Sequence, residues 1–350
     1  MKMIDRLVID NFKSINHVDL KCGRINVMIG EPNAGKSNIL EALDLSFLSW
    51  MFNINEATQK AGKKVIDLKK YFRIGDVSSL FHFGEVEKPI SISHIYDDVM
   101  HQTSLKYIVD QERNVYKWSN YNGSYTEFDK DFVPLAGSYF SASAIKPFRY
   151  KDDIEFHNSG NYLNNFMPPY GNNLLDVIQH NASFRDTIKD LTEDYGFEFN
   201  VDKVSNQLLI QIRINKGVVY SVPYIGIADT FKRVLFYLAA IRYNNAQVIT
   251  LDEPDTHSFP KYVSFLADEI IRNTNTQFFI TTHNPYLLNH LIENTPLEDL
   301  AVFVCSYNKD TASTNAKKLT QENLSEMLDY GIDVFFNLNK YIDGRIEYNS

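Results

Sequence analysis

The sequence predicts an α/β fold: a mixed sheet with helices packed on it, an antiparallel β-meander lobe and a helical lobe. Three observations predict it. A strand, a glycine-containing loop and a helix follow one another in "RINVMIGEPNAGKSNILEAL". Residues 88–128 alternate apolar and polar side chains between Asn and Gly punctuation. The last third runs strand, helix, strand, helix, strand from "QVITLD" to "LAVFVCS", the rhythm of a parallel sheet with helices on its faces.

The first 50 residues read strand, turn, strand, loop, helix. "DRLVIDNF" and "RINVMIG" are rich in β-branched residues. After Lys36, the residues Leu40, Leu43, Phe47 and Trp50 recur at helical spacing and give one apolar helix face. The meander strands are "KPISISHIY", "TSLKYIVD", "RNVYKWS" and "GSYTEFD". From about residue 172 the pattern turns helical in "NNLLDVIQH" and "ASFRDTIKDLTEDYG", with Ser183 as the expected N-cap and Asp186 in the first turn. Strands return in "FEFNVDKV", "QLLIQIRIN" and "VVYSVPYI". A helix then starts near Asp229, with Phe231, Val234, Leu235 and Leu238 on one face. Helices are expected at 260–272 and 284–292, between the strands "QVITLD", "TQFFITT" and "LAVFVCS". No repeat or heptad run occurs, so no coiled-coil arm is expected.

The 350 residues, 44% of them hydrophobic, suffice for one large domain or two ordinary ones, globular throughout. The net charge of −9 argues against general nucleic-acid binding through a strongly basic surface, though a local basic groove stays open. Lys60, Lys63, Lys64, Lys69 and Lys70 form the densest basic run and read as a solvated helix face. Cys22 and Cys305 lie in apolar strand-like runs and read as reduced core residues of a cytoplasmic protein. The N-terminal stretch has charges inside its apolar residues and no cleavage pattern, so no signal peptide is expected. No apolar run nears the ~20 residues that span a bilayer. The nine histidines are scattered, none paired with Cys or carboxylate at metal-ligand spacing.

"GEPNAGKS" fits G-x-x-x-x-G-K-S in the required context, after a strand and opening a helix. Gly30 and Gly35 let the backbone turn tightly and approach a phosphate. The N–H groups from Asn33 to Ser37 then point inward, at a helix N-terminus with its partial positive charge. Lys36 neutralises phosphate charge and Ser37 ligates Mg²⁺. Gly30, Asn33, Ala34, Gly35, Lys36, Ser37 and Asn38 are the expected nucleotide contacts. The strand "AQVITLDEPD" delivers Asp252 and Glu253 at its C-terminal end, where ligands of parallel α/β sheets bind. Asp252 is expected to hold Mg²⁺ with Ser37, and Glu253 to polarise the attacking water. Without the glycine loop these would read as two solvated carboxylates. "QFFITTHNP" is the next apolar strand, and its His283 is placed to reach a γ-phosphate.

Together Asp252-Glu253-Pro254, Asp255-Thr256-His257 and Thr282-His283-Asn284-Pro285 resemble the ABC-class ATPases of the SMC, RecF and OLD kind. More narrowly they are similar to compact AAA-annotated ATPases of bacterial anti-phage systems. "LVIDNFKSI", "GNNLLDVIQH" and "LAVFVCS…TASTNAKKLTQENLSEML" share the resemblance, which covers nearly the whole chain. The 216 residues between Lys36 and Asp252 fit this class; AAA+ and GTPase families place the acidic strand closer. "YNKD", Tyr307 to Asp310, lacks guanine-motif spacing and reads as a turn between strands. The resemblance implies a P-loop NTPase of ABC type with ATP and Mg²⁺ as cofactors. It implies a single head of 350 residues: lobe I about 1–140, a helical insertion about 141–195, and lobe II about 196–350.

In the resemblance, each of two nucleotide sites is completed by a signature loop of the partner head, typically L-S-x-G-x. Here the aligned stretch is "GIADTFKRVL", residues 226–235, with Ala228 in place of Ser and Thr230 in place of Gly. Ala228 offers no hydroxyl to a γ-phosphate. A hydrogen bond to a charged group is worth about 1.5–3 kcal/mol, so slow hydrolysis is expected. Asp229 is expected to cap the helix, and Thr230 or Lys232 to replace the missing contact. Lys13 in "NFKSI" is a candidate nucleotide contact by resemblance. The glutamine loop is not assignable: Gln102 and Gln111 both fall in exposed meander strands. No acidic cluster up to Ser350 suggests the second catalytic domain of OLD-type nucleases, so none is expected. The expected partners are therefore a second copy, as a dimer or higher oligomer through the ATP sites, and a separate effector, a nuclease or toxin. The activity implied is ATP hydrolysis coupled to a nucleotide-gated switch in phage defence. A non-hydrolysing scaffold and a DNA-repair clamp are the alternatives.

Overall fold

The computed structural model describes residues 3–60, 65–109, 114–138, 143–156, 165–202, 204–205, 207–215, 217–331 and 333–343. Lys63, Lys64 and Gln111 lie outside them. The chain divides into two compact units: Met1–Lys146 with Ala246–Asp252 and Thr274–Ser350, and Pro147–Asn245 with Glu253–Asn273.

The first unit is built on two sheets. One has the strand order Ser313–Lys318, Leu300–Asn308, Ile25–Gly30, Gln277–Thr281, Val248–Asp252 and, at its edge, the strand beginning at Ile145. Ile25–Gly30 is fully buried and runs parallel to both neighbours. Burial on both faces explains why these strands read as unbroken apolar runs rather than alternating ones. The acidic strand and the histidine strand thus share a sheet with the loop-bearing strand, rather than a lobe with residues 196–245. The other sheet is antiparallel, in the order Ile15–Lys21, Arg6–Phe12, Ile90–Tyr96, Val99–Val109, Asn114–Asn120, Tyr125–Phe128, Pro134–Ser138. Its Ile90–Tyr96/Val99–Val109 hairpin turns on Asp97 and Asp98, at φ 47° and 63°, the type I′ geometry that matches strand twist.

The buried Gln277 side chain joins the two sheets. It accepts from the Ile4 N–H and donates to the Ile4 and Gly23 carbonyls. The helix Lys36–Leu45 packs between them.

The second unit holds the helices Leu174–His180, Ala182–Thr192, Asp229–Arg242 and Pro260–Arg272, with a three-stranded antiparallel sheet of Phe197–Asp202, Gln207–Asn215 and Val218–Pro223. Its core is aromatic: Phe166 stacks on Phe148 and meets Phe236 edge-on, and Phe231 meets Phe197 and Tyr262 the same way. Arg242 donates to both oxygens of Glu269 at 2.6 and 2.7 Å, tying two helices together. The longest helix among the described residues is Asp229–Arg242, 14 residues, and no coiled coil is present among them.

Five local expectations need correction. Ile15–Lys21 is a strand, hidden in the sequence because its buried residues Ile15, Val18 and Leu20 break strict alternation. The helix after Lys36 is two helices, Lys36–Leu45 and Leu48–Lys60. The Leu45 carbonyl accepts the Trp118 indole N–H at 2.9 Å instead of continuing the helix. Ser183 lies inside its helix, whose N-cap is Asn181 without a side-chain cap bond. Cys22 is half-buried just past a strand end, whereas Cys305 is in the core. The insertion expected to be helical from 141 opens with the strand Ile145–Phe148. Gln102 is exposed in its strand, as expected, and donates to Ser91.

His94 is 5% exposed. Burial first, and His101 second, push its pKa down to about 4. The unfolded chain takes up this proton near 6.5. Stability therefore falls as pH drops from about 6.5 towards 4, by roughly 3 kcal/mol in all. Denaturant midpoints followed across this window are expected to fall less steeply for His94→Gln; equal slopes would refute the assignment.

Candidate nucleotide-binding site

The loop Gly30–Lys36 is shaped by its neighbours on the sheet. Gly30 sits at φ 148°, in register with Cys305. A Cβ there would lie 2.2 Å from the Cys305 carbonyl oxygen. Gly35 sits at φ 90°, and a Cβ there would lie 2.0 Å from Thr314 Oγ1. Asn33 takes the left-handed conformation at φ 62°, which Asn tolerates better than most residues. Ala34 is buried. The loop wall is thus bare backbone at two points. The helix opens at Lys36; the Asn38 and Ile39 N–H groups donate to the Gly35 carbonyl, whereas those of Lys36 and Ser37 have no acceptor within the helix.

Lys36 is only 5% exposed, and its ammonium donates to the Gly30 and Glu31 carbonyls at 2.9 and 2.8 Å. Ser37 Oγ donates to Asp252 Oδ1 at 3.0 Å, and Thr281 Oγ1 donates to the same oxygen at 2.5 Å. Thr281 lies directly opposite Asp252 in the parallel ladder. Two turns on along the helix, Asp44 is fully buried and accepts from Thr250 Oγ1 and the Tyr71 hydroxyl, both at 2.7 Å. Positions 37 and 44 share a helix face, and 250 and 252 share a strand face. The helix is therefore joined to the acidic strand at two points.

The Asn38 amide donates to Ser14 Oγ, which is 2.7 Å from Thr314 Oγ1. Lys13 sits at φ 49° in the turn before Ile15–Lys21. Its ammonium donates to the Glu41 carboxylate and the Phe72 carbonyl, and Arg73 binds the other Glu41 oxygen. Burial lowers the Lys13 pKa, with Glu41 opposing. His283 is exposed in the bend after Gln277–Thr281. That bend is fixed on both sides: the Asn284 N–H donates to Thr282 Oγ1, and Asn284 caps the next helix through the Tyr286 N–H.

A protein-family profile described as "AAA domain, putative AbiEii toxin, Type IV TA system" matches residues 25–289, well over half of the chain. The chain belongs to this family. Among solved structures, this AAA-domain protein is similar to an Smc head bound to the C-winged helix domain of ScpA. The two share 14% identity, with a TM-score of 0.51, covering 92% of this chain and 99% of the other. It also matches the SMC head domain from Thermotoga maritima (11%, TM-score 0.44, 90% and 98%) and the Pyrococcus furiosus Smc head with an extended coiled coil bound to the C-terminal domain of ScpA (13%, 0.48, 94% and 99%). Among curated proteins none matches in sequence. The fold of this AAA-domain protein is that of an ABC-class ATPase head. No helix among the described residues is long and apolar enough to cross a membrane.

The remaining candidates of the AAA-domain protein lie in its second unit. Glu253 holds φ 48° and its carboxylate accepts from Thr256 Oγ1 at 3.2 Å. The helix Asp229–Arg242 starts where expected, but its N-cap is Ala228, without a side-chain cap bond. Asp229 does not cap it. Its carboxylate is the shared acceptor of Arg233 Nε at 2.8 Å, His257 Nδ1 at 3.0 Å and the Tyr150 hydroxyl at 3.0 Å. Burial alone would raise the Asp229 pKa; those hydrogen bonds outweigh it and hold the group at about 2. Thr230 Oγ1 donates to the His257 carbonyl at 2.7 Å, and the buried Lys232 ammonium pairs with Asp152. Both side chains proposed as substitutes for the missing Ser hydroxyl are thus engaged by their own unit. Sequence reasoning missed Thr281, Thr250, Asp44, Tyr150 and His257 as supports. For Thr281, Thr250 and Asp44 the available signal was a polar residue in an otherwise apolar strand or helix face, which burial makes costly unless paired; Tyr150 and His257 lie in loops and carried no such signal.

Gly35→Ala forces both strain and overlap, and is expected to lower the unfolding free energy by about 2 kcal/mol or more. Gly331→Ala, at φ 61° with open space, is the control and is expected to cost only about 1 kcal/mol. Denaturant titration of both variants checks this; equal losses would mean that Thr314 does not shape the loop.

Proposed function

We propose that the chain binds ATP with Mg²⁺, hydrolyses it slowly, and associates with a second copy in an ATP-dependent way. That association gates a separate effector, a nuclease or toxin, in bacterial phage defence. One observation carries the nucleotide part: Ser37 and Thr281 converge on one Asp252 oxygen beside the buried Lys36. A hydroxyl and a carboxylate form the hard oxygen set that suits Mg²⁺. The two positions closed to any Cβ suit backbone approach to phosphate.

In this reading Ser37 and Asp252 hold the ion, which neutralises charge on the phosphate oxygens when bound. Lys36 leaves the Gly30 and Glu31 carbonyls for the β/γ-phosphates. The loop N–H groups from Asn33 to Ser37 bind the phosphates with it, and Asn38 supports the loop through Ser14. Glu253, next in the chain after Asp252, polarises the attacking water, and His283 contacts the γ-phosphate. Lys13 supports the helix through Glu41 rather than touching nucleotide.

Ala228 stands at the N-terminus of the helix offered to a partner's nucleotide. It contributes backbone and dipole but no hydroxyl, and the engagement of Asp229, Thr230 and Lys232 within their own unit supports slow turnover. The same observation favours a second reading, in which ATP stabilises a scaffold and is not hydrolysed. The net charge of −9 weighs against a DNA-clamping role.

Lys36→Ala is expected to lose ATP binding. Glu253→Gln is expected to keep it, lose about 10²-fold or more of turnover and accumulate an ATP-dependent dimer in sedimentation velocity. Ala228→Ser is expected to raise phosphate release roughly tenfold. If Glu253→Gln changes neither turnover nor association, the switch reading fails. If the parent chain releases no phosphate above background, the scaffold reading replaces it.

A further inference from the structure

A cavity of about 290 Å³ lies in the first unit, apart from the phosphate loop. Ser46, just past the helix Lys36–Leu45, lines it, and ten helical residues place it ~15 Å from that helix's N-terminus. Gln247, just before the strand Val248–Asp252, lines it too, at the end of the strand opposite Asp252.

One wall is a row of rings. Tyr96 meets His101 edge-on at 5.2 Å, and His101 packs on Tyr121 at 4.0 Å. The floor is polar. Ser46 Oγ donates to Thr103 Oγ1 at 3.1 Å and lies 3.3 Å from His94 Nε2. With its proton committed to Thr103, Ser46 must accept from His94, which assigns the Nε2–H tautomer. His94 Nδ1 is then an acceptor and the Thr103 hydroxyl proton is left as a donor, both buried. Asn122 and Gln247 add exposed amides at the rim. No carboxylate, ammonium or guanidinium is among the described residues lining the cavity.

These features define the ligand. The absence of a lining cation disfavours phosphate, because a buried anion needs compensation. Aromatic faces suit a planar ring, and an adjacent donor and acceptor suit the amide-like edge of a heterocycle. The volume is at the lower end for small-molecule pockets. We propose that this cavity is a second ligand site, taking a neutral nucleoside through its base. It stands independently of the P-loop, so the two sites can be separated experimentally.

The test is ligand-observed NMR on the full chain with adenosine, guanosine, cytidine and uridine, using Lys36→Ala to remove the P-loop contribution. One of these nucleosides is expected to bind Lys36→Ala and the parent chain equally. Tyr121→Ala, at an exposed position, and Thr103→Val are each expected to weaken that binding about tenfold. The proposal is overturned if no nucleoside binds up to about 1 mM. It is also overturned if binding is lost in Lys36→Ala, or if it survives both cavity variants unchanged.

Discussion

One carboxylate oxygen organises the first unit. Asp252 Oδ1 accepts from Ser37 on the loop-bearing helix and from Thr281 on the neighbouring strand. Three segments that are remote in sequence meet at that atom. A part-buried carboxylate with two hydroxyl donors is stable where an unpaired one is not. The buried Asp44, held by Thr250 and Tyr71, repeats the arrangement two turns along the helix. Two attachments fix both the position and the rotation of the helix on the sheet. One would leave it free to pivot, and the loop ahead of it would lose its shape.

The loop conformation is set from outside as much as by its own residues. Glycine at positions 30 and 35 is required by the Cys305 carbonyl and the Thr314 side chain, not only by turn geometry. Both of those residues lie on the Leu300–Asn308/Ser313–Lys318 hairpin, far along the chain from the loop. Thr314 also hydrogen-bonds Ser14, which receives the Asn38 amide. The hairpin therefore acts as a template, so a substitution at Thr314 transmits to the loop backbone through Gly35 while leaving the motif's own sequence unchanged.

This division explains what the sequence revealed. The parallel strands were legible because burial on both faces makes them β-branched runs bounded by turn residues. The helix Pro260–Arg272 was legible to the residue because Pro260 opens it and its apolar face recurs at helical spacing. The loop residues and Asp252 were legible because spacing within a motif is local. The supports were not. Trp118 ends the first helix from 73 positions away, and Thr250 meets Asp44 across 206. Such pairings leave no periodic trace in the sequence. Lys13 illustrates the same limit: the partners of its ammonium, Glu41 and the Phe72 carbonyl, lie 28 and 59 positions further along the chain.

In the second unit the same logic runs through Asp229. Its carboxylate gathers Tyr150, Arg233 and His257, while Thr230 holds the His257 carbonyl. His257 and Glu253 both occupy left-handed backbone in one short loop. Non-glycine residues keep such conformations only where surrounding bonds over-determine them. Here those bonds come from the first turn of the helix Asp229–Arg242 and from Thr256. The start of this helix and the loop that carries Glu253 are therefore one mechanical element. A displacement of the helix N-terminus acts on His257 first, and on Glu253 only through Thr256. Ala228, with no side chain to anchor, is the point in this element where an outside contact can act on backbone alone.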